Sequence, residues 1–367
     1  MAADMNIQAT PDQTQASPAP ASTLRLQVSA VIDETADARS LVFDVPQALR
    51  ERFAYKPGQF LSFRVTVDGK RLTRCYSMSS SPWTDAQPQV TIKRVEGGRV
   101  SNWMNQHVQA GDWLDVLPPA GHFCLDQRQA ADASRPLVLF GGGSGITPVF
   151  SLLKAVLHSG QRPVLLVYAN RDEASVIFRD QLRLLTRAHP EQLQVVHVLD
   201  SVQGFLDAAQ VRQLVRHWRG ADYFICGPGP FMDTVETTLL ALGEARDSIH
   251  VERFVSPPDP DSQGAAQAPV PLDGTGCELL LVELDGVTHQ IVPRPGETLL
   301  QSCRSAGLDV PYSCEEGFCG ACMCTVEEGQ SQLTRNDVLS QAELAAGWTL
   351  ACQGHPQGAR VRLKFPA

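Results

Sequence analysis

Between residues 24 and 117 the apolar positions recur with a period of two. Leu24–Ala30 alternates apolar and polar residues, Ser40–Val45 is a short apolar run, and Gln59–Val67 ends at Asp68-Gly69, a pair that favours a two-residue hairpin turn. Runs at Gln89–Val95 and Asp112–Leu117, punctuated by Gly and Pro, complete a set of short strands and predict a small antiparallel β-barrel over residues 24–130. From Arg135 the pattern changes to apolar strands alternating with amphipathic helices. Strands are expected at Pro136–Phe140, Val164–Tyr168, Leu193–Val198 and Tyr223–Ile225, and helices at Val149–His158, Val176–Ala188, Ala208–Trp218 and after Phe231. This alternation predicts a doubly wound parallel sheet over residues 131–255.

Residues 256–276, rich in Pro, Asp, Ser, Gln, Gly and Ala and without periodicity, read as a linker. A third unit occupies 277–367. Cys277–Leu284 and Val287–Val292 flank Asp285-Gly286 as a hairpin, and Glu297–Ala306 is expected to be a helix stopped by Gly307.

Composition narrows the function classes. The chain has 367 residues, 43% hydrophobic, which suits two or three globular domains. No apolar run approaches the ~20 residues that span a bilayer. Residues 1–23 contain no Lys or Arg and lack the apolar middle of a signal peptide, so they read as a disordered tail. Ten cysteines in a chain of this size fit a reducing cytoplasm. A net charge of −9 argues against nucleic acid as a partner. Residues 24–130 carry 13 Lys+Arg against 11 Asp+Glu, whereas 277–367 carry 6 against 11. An acidic third unit could dock on the mildly basic first one, or simply present a solvated acidic face.

The most specific chemistry is carried by four of the cysteines. Cys314, Cys319 and Cys322 are spaced C-x4-C-x2-C and Cys352 follows after a long gap, the ligand pattern of a plant-type [2Fe–2S] cluster. Gly317 and Gly320 allow positive φ, so amide N–H groups can turn inward onto a negatively charged cluster. Structural zinc would want a second C-x2-C knuckle, and a disulfide framework belongs to short secreted chains. Cys324, two residues past the completed pattern, reads as a small core residue.

Other motifs say less one at a time. Arg74-Cys75-Tyr76-Ser77 offers a diphosphate fork, a flat aromatic face and a hydroxyl within four residues, although polar residues at a strand end are also commonly just solvated. Thr91-Ile92-Lys93 leads into Gly97-Gly98-Arg99-Val100-Ser101, a turn opening a helix, which suits a diphosphate. Gly141-Gly142-Gly143-Ser144-Gly145-Ile146-Thr147 follows a strand and precedes a helix, a phosphate cradle at the carboxyl edge of the sheet. The next strand ends in Ala169-Asn170-Arg171 without the acidic marker of an unphosphorylated ribose, and Arg171 leaves a 2′-phosphate possible. Cys226-Gly227-Pro228 could bring a thiol to a nicotinamide or be a tight connection with a buried cysteine.

In this order the motifs, with Tyr168-Ala169-Asn170-Arg171-Asp172 and Phe224-Ile225-Cys226-Gly227-Pro228, resemble the ferredoxin–NADP reductase superfamily with a fused C-terminal plant-type ferredoxin. Within it the resemblance is to reductase components of the 3-ketosteroid 9α-hydroxylase type, with phenylacetyl-CoA epoxidase reductases as near neighbours. The resemblance implies a multidomain chain: an antiparallel β-barrel FAD domain, a doubly wound α/β NAD(P) domain and an α+β, β-grasp ferredoxin domain.

It also implies roles. Arg74 would bind the FAD diphosphate, Tyr76 would stack on the isoalloxazine and Ser77 would bond near flavin N5. Cys75, Thr91, Lys93 and Gly98–Ser101 would complete the flavin site. Gly142, Gly143, Ser144, Gly145 and Thr147, with Asn170 and Arg171, would bind the dinucleotide, and Cys226, Gly227 and Pro228 would meet its nicotinamide. Ser77, Cys226, Glu252 and Phe254 would form the catalytic set, Phe254 covering the flavin face. The implied activity is hydride transfer from NADH, with NADPH possible, to FAD, and single-electron delivery through the cluster to a terminal oxygenase of steroid or aromatic breakdown. A di-iron epoxidase is the alternative acceptor, and a cluster-based redox sensor the alternative class.

Overall fold

The computed structural model describes residues 24–254 and 277–366, except 313, 316, 318, 337 and 340. The expected tail (1–23) and the expected linker (256–276) lie outside the described residues.

The first sheet contains β1 (Leu24–Thr35), β2 (Ala38–Asp44), β3 (Phe60–Val67), β4 (Lys70–Ser77), β5 (Gln89–Lys93) and β6 (Trp113–Ala120), in the order β4-β3-β6-β1-β2-β5. An antiparallel bridge between Met78 and Val90 brings the two edge strands together. The turn between β3 and β4 takes the hairpin geometry expected of Asp68-Gly69, with φ of 51° and 75°, and pairs Val67 with Lys70. Leu26, Val28, Phe43, Leu61, Phe63, Val90 and Val116 fill the interior, so period-two patterning places one face of each strand inside.

The second sheet is parallel throughout. β7 (Leu137–Gly142), β8 (Val164–Asn170), β9 (Leu193–Leu199), β10 (Asp222–Cys226) and β11 (Ile249–Glu252) run in the order β11-β10-β7-β8-β9. Every residue of β7 and β8 is buried, because helices cover both faces. The strand order reverses between β7 and β10, the place where sheets of this kind open a crevice at their carboxyl ends.

One expectation for this sheet is corrected. The helix expected at Val176–Ala188 begins at Arg179. Asp172 and Ser175 form a reciprocal cap on a short 3-10 turn, and Val176, Ile177 and Phe178 then enter the core instead of a helix face. Phe178 sits at φ 60°, held there by burial and by stacking on Phe150 at 4.4 Å.

The third sheet comprises β12 (Leu279–Leu284), β13 (Val287–Ile291), β14 (Met323–Leu333), β15 (Trp348–Leu350) and β16 (Gly354–Lys364), ordered β13-β12-β16-β14-β15. β12 pairs parallel to β16 and antiparallel to β13, with the helix Leu299–Ser305 packed against it, an α+β unit as expected. Cys324 is fully buried in this core.

Buried and half-buried polar contacts fix the first unit on the second. The Ser151 hydroxyl donates to the Ser80 carbonyl at 2.5 Å and accepts from the Gly58 amide at 3.1 Å, and Lys154 pairs with Asp85 at 2.7 Å. The third unit meets the first mainly through an apolar patch of Phe60, Leu117, Cys314, Cys319 and Ala321. Among the described residues the charge complementarity suggested by composition includes the exposed pair Arg71 and Asp285 at 3.7 Å, which contributes at most about 1 kcal/mol.

Candidate functional site

A single cleft runs across all three units. From the barrel it is lined by Arg74, Cys75, Tyr76 and Ser77 at the end of β4, by Thr91 and Lys93 of β5, and by Gly98–Ser101. Ser144 and Thr147 reach it from the parallel sheet, Glu252 and Phe254 from the end of β11, and Cys314 from the cysteine loop. Gly142, Gly143, Gly145, Asn170, Arg171, Cys226, Gly227 and Pro228 lie next to it at the carboxyl edge of the parallel sheet rather than in its lining.

The two glycine-rich turns at the switch point touch. A Cβ on Gly145 would stand 2.1 Å from the Cys226 carbonyl oxygen and 2.6 Å from the Gly227 nitrogen, so only glycine permits this approach. Tyr168, buried at the end of β8, braces the same turn by donating to the Gly143 carbonyl at 3.2 Å and accepting from the Ile177 amide at 3.2 Å. Nothing in the sequence singles out this hydroxyl, since a tyrosine in an apolar strand reads as core.

Helix starts divide into two kinds. Those at Asp126, Asp207 and Thr298 carry reciprocal capping boxes. Those at Phe178 and Leu199, outside the cleft lining, and those at Gly98, Gly145 and Pro228, at its border, have no side-chain cap. At the last three, first-turn amides other than that of Ile146, which the Gly143 and Ser144 carbonyls already accept from, are left for an external acceptor, which suits two phosphate-bearing cofactors.

Register builds the remaining constellation. β10 and β11 pair Cys226 with Glu252, and Ser77 donates to a Glu252 carboxylate oxygen at 3.3 Å. Burial raises the Glu252 carboxyl to about 8, the Ser77 hydrogen bond opposing the shift. Burial, then the nearby Glu252, pushes the Cys226 thiol well above its usual range, so it stays neutral. Thr91 is less available than expected: its hydroxyl is shared with Ser40 at 2.7 Å and Ser79 at 2.8 Å inside the barrel. Phe60, absent from the sequence-based set, forms part of the inner wall beside Cys75 and Cys314.

In the cysteine loop the four expected sulfurs converge. All four are buried, with the Cys314 side chain near those of Cys319 and Cys352, and that of Cys352 near Cys322. Among the described residues no group of three or more His, Cys, Asp or Glu is arranged around one metal ion. A binuclear cluster asks instead for two thiolates on each of two irons. The backbone fits a sulfur-rich anion: Gly317 and Gly320 adopt φ of 82° and 69°, the Cys314 and Ala321 amides point at the Cys319 sulfur at 3.4 and 3.5 Å, and the Cys352 amide at Cys322 at 3.4 Å.

Comparison with known proteins agrees with this division. The family model described as oxidoreductase FAD-binding domain matches residues 25–124, that of the oxidoreductase NAD-binding domain 139–237, and that of the 2Fe-2S iron-sulfur cluster binding domain 282–357. The 3-ketosteroid-9-alpha-monooxygenase ferredoxin reductase component of Rhodococcus rhodochrous is 46% identical over 345 residues, covering 93% of this chain and 96% of its own. One component of the 1,2-phenylacetyl-CoA epoxidase of Escherichia coli K12 is 35% identical, covering 93% and 97%. Phthalate dioxygenase reductase shares the fold at a TM-score of 0.55 and 23% identity, covering 94% of this chain and 98% of its own. With a flavin domain, a nicotinamide domain and a [2Fe–2S] domain in one chain, and near-complete coverage at 46% identity, the protein belongs to the family of oxygenase ferredoxin reductase components.

Proposed function

We propose that the chain draws reducing equivalents from NADH and supplies them singly to a terminal oxygenase of the Rieske type acting on a steroid. The observation that carries this reading is the shared cleft, in which the flavin-side motif, the dinucleotide turns and a cluster-loop cysteine line one space. When bound, FAD accepts a hydride and releases single electrons, and the [2Fe–2S] cluster carries them onward.

The chain's own residues prepare that transfer. Arg74 and the open amides at Gly98–Ser101 hold the flavin diphosphate, with Cys75, Tyr76, Thr91, Lys93 and Val100 forming its seat. Ser77 and Glu252 hold a proton beside the reacting edge, because a carboxyl that titrates near 8 keeps its proton at neutral pH. Cys226, neutral and enclosed behind the cleft wall, would border the nicotinamide seat. Phe254, 46% exposed at the cleft mouth, is free to move aside when the ring arrives. Gly142, Gly143, Ser144, Gly145 and Thr147 hold the dinucleotide phosphates, and Gly227-Pro228 closes the turn around them. Cys314, Cys319, Cys322 and Cys352 hold the two irons.

Nucleotide preference follows from Asn170-Arg171-Asp172. Arg171 is paired with Asp172 at 2.9 Å, and that carboxylate also caps the following turn. An acidic group fixed there repels a 2′-phosphate and occupies the guanidinium that would bind one, which supports NADH.

Reconstitution with purified oxygenase components tests the whole. A 3-ketosteroid oxygenase should turn over with NADH consumption matched to product. Matched turnover only with a phenylacetyl-CoA epoxidase, whose reductase is the less similar relative, would replace the steroid assignment. Turnover with neither oxidant, together with no NADH-dependent reduction of ferricyanide, would remove the reductase reading.

A further inference from the structure

Cys75 faces two ways. It lines the flavin cleft, and it also packs against the patch formed by Phe60, Leu117, Cys314, Cys319 and Ala321, where the cluster loop meets the barrel. On its own sheet it is paired across the ladder with Ser62, a residue only 1% exposed, whose hydroxyl lies 3.1 Å from the Cys75 sulfur. On the other side the Cys75 side chain packs against the patch that holds Cys319, which brings its thiol toward the Cys319 sulfur. Among the described residues, Cys319 therefore has three potential donors: the Cys314 and Ala321 amides from its own loop, and one thiol from another domain.

Chemistry fixes the direction of this chain. A cysteine ligating iron has lost its proton, so its sulfur can only accept, and the Cys75 S–H must be the donor. The Cys75 sulfur is then left to accept, and the Ser62 hydroxyl is the group placed to donate to it. Ser62 O–H thus orients Cys75, and Cys75 S–H points at the ligand. A donor on a ligand sulfur stabilises the cluster more after it gains an electron, because the added negative charge is partly carried by sulfur.

We propose that Cys75 is a positioning residue that raises the reduction potential of the cluster by hydrogen-bonding the Cys319 sulfur from the flavin domain, and that Ser62 sets its orientation. The inference rests on the reading that Cys314, Cys319, Cys322 and Cys352 hold the cluster. It makes the potential depend on docking: the donor belongs to the barrel, so the cluster is easiest to reduce where it receives electrons, and becomes a stronger reductant if the loop leaves that surface. The apolar contact around it leaves little water to substitute for the thiol.

The test is a spectroscopic redox titration of the full, FAD- and cluster-containing chain, following the cluster by electron paramagnetic resonance and the flavin by its absorbance. Cys75→Ala should shift electron sharing between flavin and cluster about tenfold away from the cluster, equivalent to about 59 mV for one electron. Cys75→Ser, which keeps a donor in nearly the same volume, should restore most of the wild-type value. Ser62→Ala should give an intermediate fall. A cluster with the wild-type spectrum and an unmoved potential in Cys75→Ala overturns the role of Cys75 while leaving the ligand assignment standing. Equal fall in both Cys75 variants, or a flavin potential that moves with the cluster's, also overturns it. Wild-type protein that incorporates no iron overturns the ligand assignment and this inference together.

Discussion

Gly145→Ala isolates the contact between the two nucleotide turns. The backbone at Gly145 is ordinary helical, with φ −62° and ψ −11°, so alanine meets no dihedral penalty. What it meets is space: the three atoms nearest its Cβ, at 2.1, 2.3 and 2.6 Å, all belong to the Cys226-Gly227 backbone and cannot rotate away. Ordinary contact needs roughly 3.4 Å or more, so the β7 and β10 turns must separate by about 1 Å. Overpacking of this kind costs about 1–3 kcal/mol, and a rigid neighbour places it at the upper end. For the first and second units unfolding together, residues 24–254, that is a fall in Tm of about 6–12 °C. Displacing the dinucleotide seat by about 1 Å should also slow hydride transfer about 100-fold. Gly229→Ala is the matched control, since a Cβ there meets nothing within 4 Å and the residue lies in the first turn of a helix. It should leave Tm unchanged or raise it slightly. The assays are thermal unfolding and stopped-flow bleaching of bound flavin by NADH. If Gly145→Ala matched Gly229→Ala in both, the touching turns would have no bearing on function.

Other substitutions probe the remaining parts. Because the Glu252 carboxyl is raised from 4.5 to about 8, its stabilising contribution is full below pH 4.5 and is lost as pH rises through 8. At about 1.4 kcal/mol per pH unit the bound is about 5 kcal/mol. Water reaching the partly exposed side reduces it to roughly 2. Denaturant unfolding should show flavin-free Glu252→Gln gaining that much on wild type between pH 5 and pH 9, and a difference that does not vary with pH would count against burial as the cause. Cys319→Ser should abolish the cluster's visible absorption yet leave NADH-dependent ferricyanide reduction through the flavin; loss of both with FAD still bound would break the linear order of carriers. Arg162, 1% exposed, donates to the Arg135 and Gln129 carbonyls at 2.9 and 2.8 Å and pairs with Asp222. Arg162→Met strands these buried groups and should cost about 3–5 kcal/mol in urea unfolding, while a change under 1 kcal/mol would mean that water replaces the guanidinium.

Much of this was legible in the residues because local chemistry dictated it. Asp68-Gly69 and Asp285-Gly286 both form their hairpins, since little else relieves two successive positive φ angles so cheaply. The loop glycines Gly317 and Gly320 take the left-handed conformations that aim amides at sulfur. β14 to β16 were not legible, for a physical reason. Glu327–Gln332 is polar on both faces where β14 runs along the surface, and two register shifts break its alternation against β16. Phe178 misled because an apolar triplet has the same look in a helix and in a buried turn. Least legible was the inner wall. Phe60 and Ser62 share a strand face that one domain alone would leave half-solvated, and only the presence of the cysteine loop gives that face a purpose.

The uneven distribution of helix caps has a consequence for anyone improving this protein. Gly145 has no room for a capping side chain and Gly98 little, but about 0.5–2 kcal/mol lies unclaimed at the start at Pro228. Selection for heat resistance alone would be drawn to that site first, since aspartate or serine there satisfies amides that are otherwise idle without a coenzyme. Such a gain would seal a seat meant for phosphate, so the hardiest variants from a blind screen would be the ones that no longer accept their coenzyme.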